Sequence, residues 1–126
     1  FGNQAGGINN AGTLTLTGVT VTNTDAISGG AVFNAVGGTL TVVGSTITNN
    51  PTFGLVNVGT MSVTGSSVTG STDGSGILNL GPSLVVTDTL LADNTPLEVD
   101  GGGAFVSDGT ATFTRVTFRN NSADAG

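Results

Sequence analysis

Few residues in this chain carry side chains capable of chemistry. Eight of the 126 are acidic, two are basic (Arg115 and Arg119), and Lys, His, Cys, Tyr and Trp are all missing. General acid–base or nucleophilic work would therefore fall to carboxylates and two guanidiniums alone. The usual zinc and copper ligands are missing with His and Cys. Calcium takes about 6–8 oxygens, and the only close acids are Asp88 with Asp93 and Glu98 with Asp100. Neither pair has EF-hand or nonapeptide calcium spacing. Glu98 and Asp100 are the candidate ligands should a metal bind, in the long stretch TPLEVDGGGA (95–104). The expectation is a solvated acidic surface with no cofactor, on a protein that is not an enzyme. A net charge of -6 argues against nucleic acid, whose binding rests on Lys and Arg neutralising phosphates. It argues equally against an anionic membrane surface. No apolar run approaches the ~18 residues of a transmembrane helix.

The composition instead supplies strands and turns. Glycine and threonine each number 22, while aromatic residues are limited to six Phe. Five twelve-residue blocks align without a gap: TLTLTGVTVTNT (13–24), TLTVVGSTITNN (39–50), TMSVTGSSVTGS (60–71), SLVVTDTLLADN (83–94) and TATFTRVTFRNN (110–121). Their starts lie 26, 21, 23 and 27 residues apart. Ahead of each block come a glycine, a short apolar stretch and a polar residue: GINN (7–10), GAVFN (30–34), GLVN (54–57), GILN (76–79) and GAFVS (103–107).

Period-two alternation within a block is the mark of a strand. Leu14, Leu40, Met61, Leu84 and Ala111 form one apolar column, and Leu16, Val42, Val63, Val86 and Phe113 the next. Val21, Ile47, Val68, Leu91 and Phe118 form a third, and Ile8, Val32, Leu55, Ile77 and Phe105 a fourth. Parity slips between the second and third columns at Gly18, Gly44 and Gly65, where a corner is expected; Asp88 and Arg115 take that place in the last two repeats. Each repeat then offers three short strands that bury nothing alone, and stacking repeats about 4.8 Å apart closes a thin continuous core. The fold predicted is all-β: a single-stranded parallel β-helix, or β-solenoid, with about five coils of 21–27 residues and three short strands per coil. The coils run approximately 7–29, 30–53, 54–75, 76–102 and 103–126, with 1–6 closing a preceding coil.

Polar residues also align. Asn10, Asn34, Asn57 and Asn79, followed by Ser107, make one corner column; Asn23, Asn49, Gly70, Asp93 and Asn120 make another. Asn can serve such a column by stacking its amides or by tolerating a left-handed corner; both fit this fold. Arg115 follows Asp88 in its column, which predicts a surface ion pair. The outward positions of the first block strand are Thr13, Thr15, Thr17, Thr39, Thr41, Thr60, Thr64, Thr87, Thr110, Thr112 and Thr114, with Ser62, Ser83, Val43 and Val85 completing the array. They would form a flat lattice of about 6.8 by 4.8 Å, resembling the TxT arrays of β-solenoid antifreeze proteins. Threonine also fills six of ten outward places on the next strand, as expected if it merely suits an exposed strand.

The phrases GGAV (29–32), GGGAF (101–105) and FRNN (118–121) resemble the repeats of bacterial polymorphic outer-membrane proteins. More broadly, the chain is similar throughout to right-handed parallel β-helices of bacterial cell-surface and secreted proteins. Coil five keeps the whole FxxN phrase, whereas Val21, Ile47, Val68 and Leu91 replace its Phe elsewhere. The resemblance implies an extracellular or cell-surface location and a structural or adhesive role, with a carbohydrate or host-surface ligand. Lyases on such helices use acidic clusters with a Lys or Arg base, so a carbohydrate-binding or lyase-like fragment is one alternative and an ice-binding solenoid another. Finally, 1–7 match the phase of 118–126. The expectation is either continuation in a longer solenoid or self-association through open ends, which can stack copies into a filament.

Overall fold

A computed structural model describes residues 5–26, 29–97 and 101–123. These residues form strands and turns, with no helix among them. Coil one holds β1 (Ala5–Asn10), β2 (Thr13–Thr17) and β3 (Thr20–Thr22); coil two holds β4 (Gly30–Asn34), β5 (Thr39–Val43) and β6 (Thr46–Thr48). Coil three holds β7 (Phe53–Asn57), β8 (Thr60–Thr64) and β9 (Ser67–Thr69), and coil four β10 (Ile77–Asn79), β11 (Ser83–Thr87) and β12 (Leu90–Ala92). Coil five ends the series with β13 (Ala104–Val106), β14 (Thr110–Thr114) and β15 (Thr117–Arg119). Every third strand joins the same sheet, giving three five-stranded sheets: β1-β4-β7-β10-β13, β2-β5-β8-β11-β14 and β3-β6-β9-β12-β15. All the pairings are parallel. The molecule is a β-solenoid of five coils with three strands each.

The inner columns set the register. Leu40, Val42, Ile47, Leu55, Val63, Val68 and Ile77 are completely buried, and Met61 and Leu84 are 1% exposed. Each such side chain contributes about 1.5–3 kcal/mol through burial. A one-residue slip of any strand would turn these side chains outward.

Two corners flank the three-residue strands of the third sheet, and both are left-handed. One column runs Gly18, Gly44, Gly65, Asp88, Arg115, with φ of 62, 55, 58, 50 and 51°. The other runs Asn23, Asn49, Gly70, Asp93, Asn120, with φ of 54, 54, 73, 55 and 54°. A Cβ in this region costs about 1–2 kcal/mol, with Gly, Asn and Asp the usual occupants, and nine of the ten positions obey that rule. Arg115 is the exception.

Coil five corrects the predicted alignment by one residue. Ala104, not Phe105, pairs with Ile77 in the inner column, and Val106, not Ser107, pairs with Asn79. The corner between first and second sheets holds three residues in coil five, as in coil four; taking the polar Ser107 as the column residue leaves only two and shifts the strand by one. Packing explains why the smaller residue goes inside. The Phe118 ring lies against Gly103, where an added Cβ would come within 2.8 Å of Phe118 Cδ1. It also makes an edge-to-face contact with Phe113, centroids 5.5 Å apart. Ala104 packs against the core in this coil together with Phe113.

Candidate functional site

The second sheet presents the most regular surface. Its register sets Thr13, Thr39, Thr60, Ser83 and Thr110 in one row, Thr15, Thr41, Ser62, Val85 and Thr112 in the next, and Thr17, Val43, Thr64, Thr87 and Thr114 in the third. All fifteen are exposed or half-exposed, while the residues between them face the core. Neighbouring strands lie about 4.8 Å apart and alternate residues about 6.6–6.8 Å. Among the lattice hydroxyls only Thr110 bonds within the described chain, donating to the Pro82 carbonyl at 3.2 Å. The others are open to an external partner, and no charged side chain interrupts the array.

The other two outer faces differ, although threonine is frequent on one of them. On the third sheet the Thr48 and Thr69 hydroxyls bond to each other at 2.8 Å. Its outward rows also include Leu90, Arg119 and Ala92, the last of them fully buried. On the first sheet, Asn9, Phe33, Val56, Leu78 and Phe105 stand in one row, apolar after Asn9 and buried at Val56, which the sequence reading did not single out. The hydroxyl lattice thus belongs to one face.

At the corner beyond the lattice, Arg115 Nε donates to Asp88 Oδ1 at 2.6 Å and Nη2 to Oδ2 at 3.0 Å. Both side chains are well exposed. The hydrogen bond from Arg115 holds the Asp88 carboxyl below the ordinary carboxylate range, outweighing desolvation and aided by the Arg115 charge. The same bond and charge push Arg115 upward. Arg119 joins no ion pair among the described residues. Glu98 and Asp100 lie outside the described residues. Among the described residues no three acidic side chains converge as a metal site would require.

The two asparagine columns have different roles. Asn10, Asn34, Asn57 and Asn79 are buried, and each amide passes a hydrogen bond to the next. Asn10 Nδ2 donates to Asn34 Oδ1 at 2.9 Å, Asn34 to Asn57 at 2.9 Å and Asn57 to Asn79 at 2.7 Å. The column closes with Asn79 Nδ2 donating to the Asp108 carbonyl at 2.8 Å. The second column, Asn23, Asn49 and Asn120, serves the left-handed corner.

Two further columns were missed. The Ser45, Ser66 and Thr89 hydroxyls accept from the Val19, Ser45 and Ser66 amides one coil earlier. Each hydroxyl also donates to a carbonyl two residues before it. Asn50, Asn94 and Asn121 likewise accept from the Thr24, Ser71 and Asn94 amides and donate to the Val21, Val68 and Leu91 carbonyls. The readable signal was a run of small polar residues at the seventh and twelfth block positions, between apolar columns.

Comparison with family models, with curated proteins and with solved structures returned no match for this chain, so what its surfaces do must be argued from their own chemistry.

Proposed function

We propose that this chain is a non-catalytic structural and adhesive module of a cell-surface or secreted solenoid. The observation carrying this reading is the outer face of the second sheet, a rigid, uncharged lattice whose hydroxyls and methyls are almost all free of internal partners. Such a face suits an extended hydroxylated surface such as a polysaccharide, where many weak contacts act together. The GGAV, GGGAF and FRNN phrases support a repeat of the polymorphic outer-membrane type and an extracellular location. Side chains at the outer coils support stacking on further coils, whether of a longer chain or of another copy: Phe118 is 51% exposed, and Ile8, Leu14 and Val19 are only partly buried.

The test is depletion of the protein from solution by insoluble polysaccharides such as cellulose and chitin. The wild type should be depleted, a Thr41→Lys/Thr112→Lys variant should stay in solution, and Thr22→Lys on the third sheet should behave as wild type. A lattice variant depleted as well as wild type would sink the adhesive reading of this face.

Ice binding is the second reading, favoured by the unbroken array of hydroxyl and methyl side chains on the second sheet, whereas Leu90, Ala92 and Arg119 interrupt the corresponding rows of the third. Thermal hysteresis measured on the same three proteins decides it: hysteresis in the wild type and Thr22→Lys, lost in the lattice variant, would make ice the ligand.

A further inference from the structure

Asp-Gly dipeptides occur at 73–74, 100–101 and 108–109. In such a pair the glycine amide nitrogen, unshielded by a Cβ, can attack the carboxyl carbon of the preceding residue. Intramolecular attack is favoured when the reacting atoms are held about 3–3.5 Å apart in a fixed orientation. At 108–109 the Gly109 amide donates to Asp108 Oδ1 at 2.8 Å, which keeps the nitrogen against the carboxyl group it would attack. Both residues are exposed to water. Asp73 is arranged differently: its amide donates to the Pro51 carbonyl at 2.6 Å, and no hydrogen bond joins the Gly74 amide to its carboxylate. Asp100 lies outside the described residues.

We propose that Asp108 is a site of spontaneous isoaspartate formation. In the carboxylic-acid form, Gly109 N attacks Asp108 Cγ. The N–Cγ bond forms, the amide proton passes to solvent, and the Cγ–OH bond breaks with the hydroxyl leaving as water. Water then adds to the former main-chain carbonyl of the resulting succinimide and breaks its bond to Gly109 N. The chain now runs through Cγ, longer by one methylene, and the former main-chain carbonyl is a free carboxylate. Only solvent water takes part.

The position makes the change consequential. The Asp108 carbonyl is the last acceptor of the asparagine column, taking the Asn79 Nδ2 bond at 2.8 Å. The backbone at Gly109 lies so close to coil four that an added Cβ would collide with the Gly81 carbonyl. A longer backbone does not fit there. Rearrangement would release this corner of coil five and loosen the Ser83–Thr110 pairing that ends one row of the lattice.

The experiment incubates the folded protein at mildly acidic pH beside a sample held in urea, then locates succinimide and isoaspartate by fragmentation mass spectrometry. The expected result is several-fold faster conversion at Asp108 in the folded sample, with Asp73 showing the opposite order. Asp108→Glu, whose extra methylene enlarges the ring, should keep the fold by circular dichroism and lower total labelling by an isoaspartyl methyltransferase. Conversion at Asp108 no faster in the folded chain than in urea overturns the proposal, as does undiminished labelling of D108E.

Discussion

Ser71 occupies a buried position where the neighbouring coils place Asn50 and Asn94, and its hydroxyl has no hydrogen-bond partner. A serine is too short to repeat what Asn94 does, which is to accept from the amide one coil earlier and donate to the Val68 carbonyl. Ser71→Asn should complete the column between Asn50 and Asn94 and stabilise the fold by about 1–2 kcal/mol, read as a higher melting temperature. Arg115 presents the opposite situation, a long side chain in left-handed backbone at φ 51°, held to Asp88 by two hydrogen bonds at the surface. Because the folded-state pKa of Asp88 is lowered from 3.8, the pair's contribution is present above that value and lost as pH falls below it. Exposure and screening make that contribution small, and Arg115→Gly relieves the backbone. The variant should melt at the same temperature near neutral pH, while an NMR titration shows the Asp88 carboxyl rising toward its ordinary value.

Strands and corners were legible in the sequence to different degrees. The second and third sheets have the predicted register throughout, because their strands lie at fixed offsets within blocks of constant length. The first sheet is joined to the blocks by corners and linkers of variable length, and there the alignment slipped at Ala104. Glycines also divide by element. Gly44 has φ 55° and open space around its missing Cβ, so Gly44→Asn should be tolerated within about 1 kcal/mol. In β7, a Cβ on Gly54 would lie 2.5 Å from Val68 Cγ1 and 2.6 Å from the Gly76 carbonyl. Gly54→Ala must push two coils apart and should cost about 1–3 kcal/mol through overpacking. Urea unfolding of both variants checks the contrast.

At the scale of the molecule, the core is a single column of apolar layers, and its protection depends on coils above and below. Met61 is 1% exposed in the middle coil, whereas Phe118 is 51% exposed in the fifth. Amides of β8 should therefore exchange at least about tenfold more slowly than those of β15 in this chain, since local opening follows contact density. Equal protection would mean that the coils open only as one unit. What the sequence determined by itself was the repeat: like residues recur at nearly fixed spacing, and only stacking gives short strands of this composition a core. The threonine lattice followed from the same period-two alternation. What only the tertiary structure decided was the work of each polar column. An asparagine serves a corner through its backbone or through its amide, and the difference lies in whether another amide stands one coil away within hydrogen-bond reach. The structure likewise separated the free hydroxyls of the second sheet from the paired Thr48 and Thr69 on the third, because the partner of a hydroxyl is set by neighbours more than twenty positions distant in the chain.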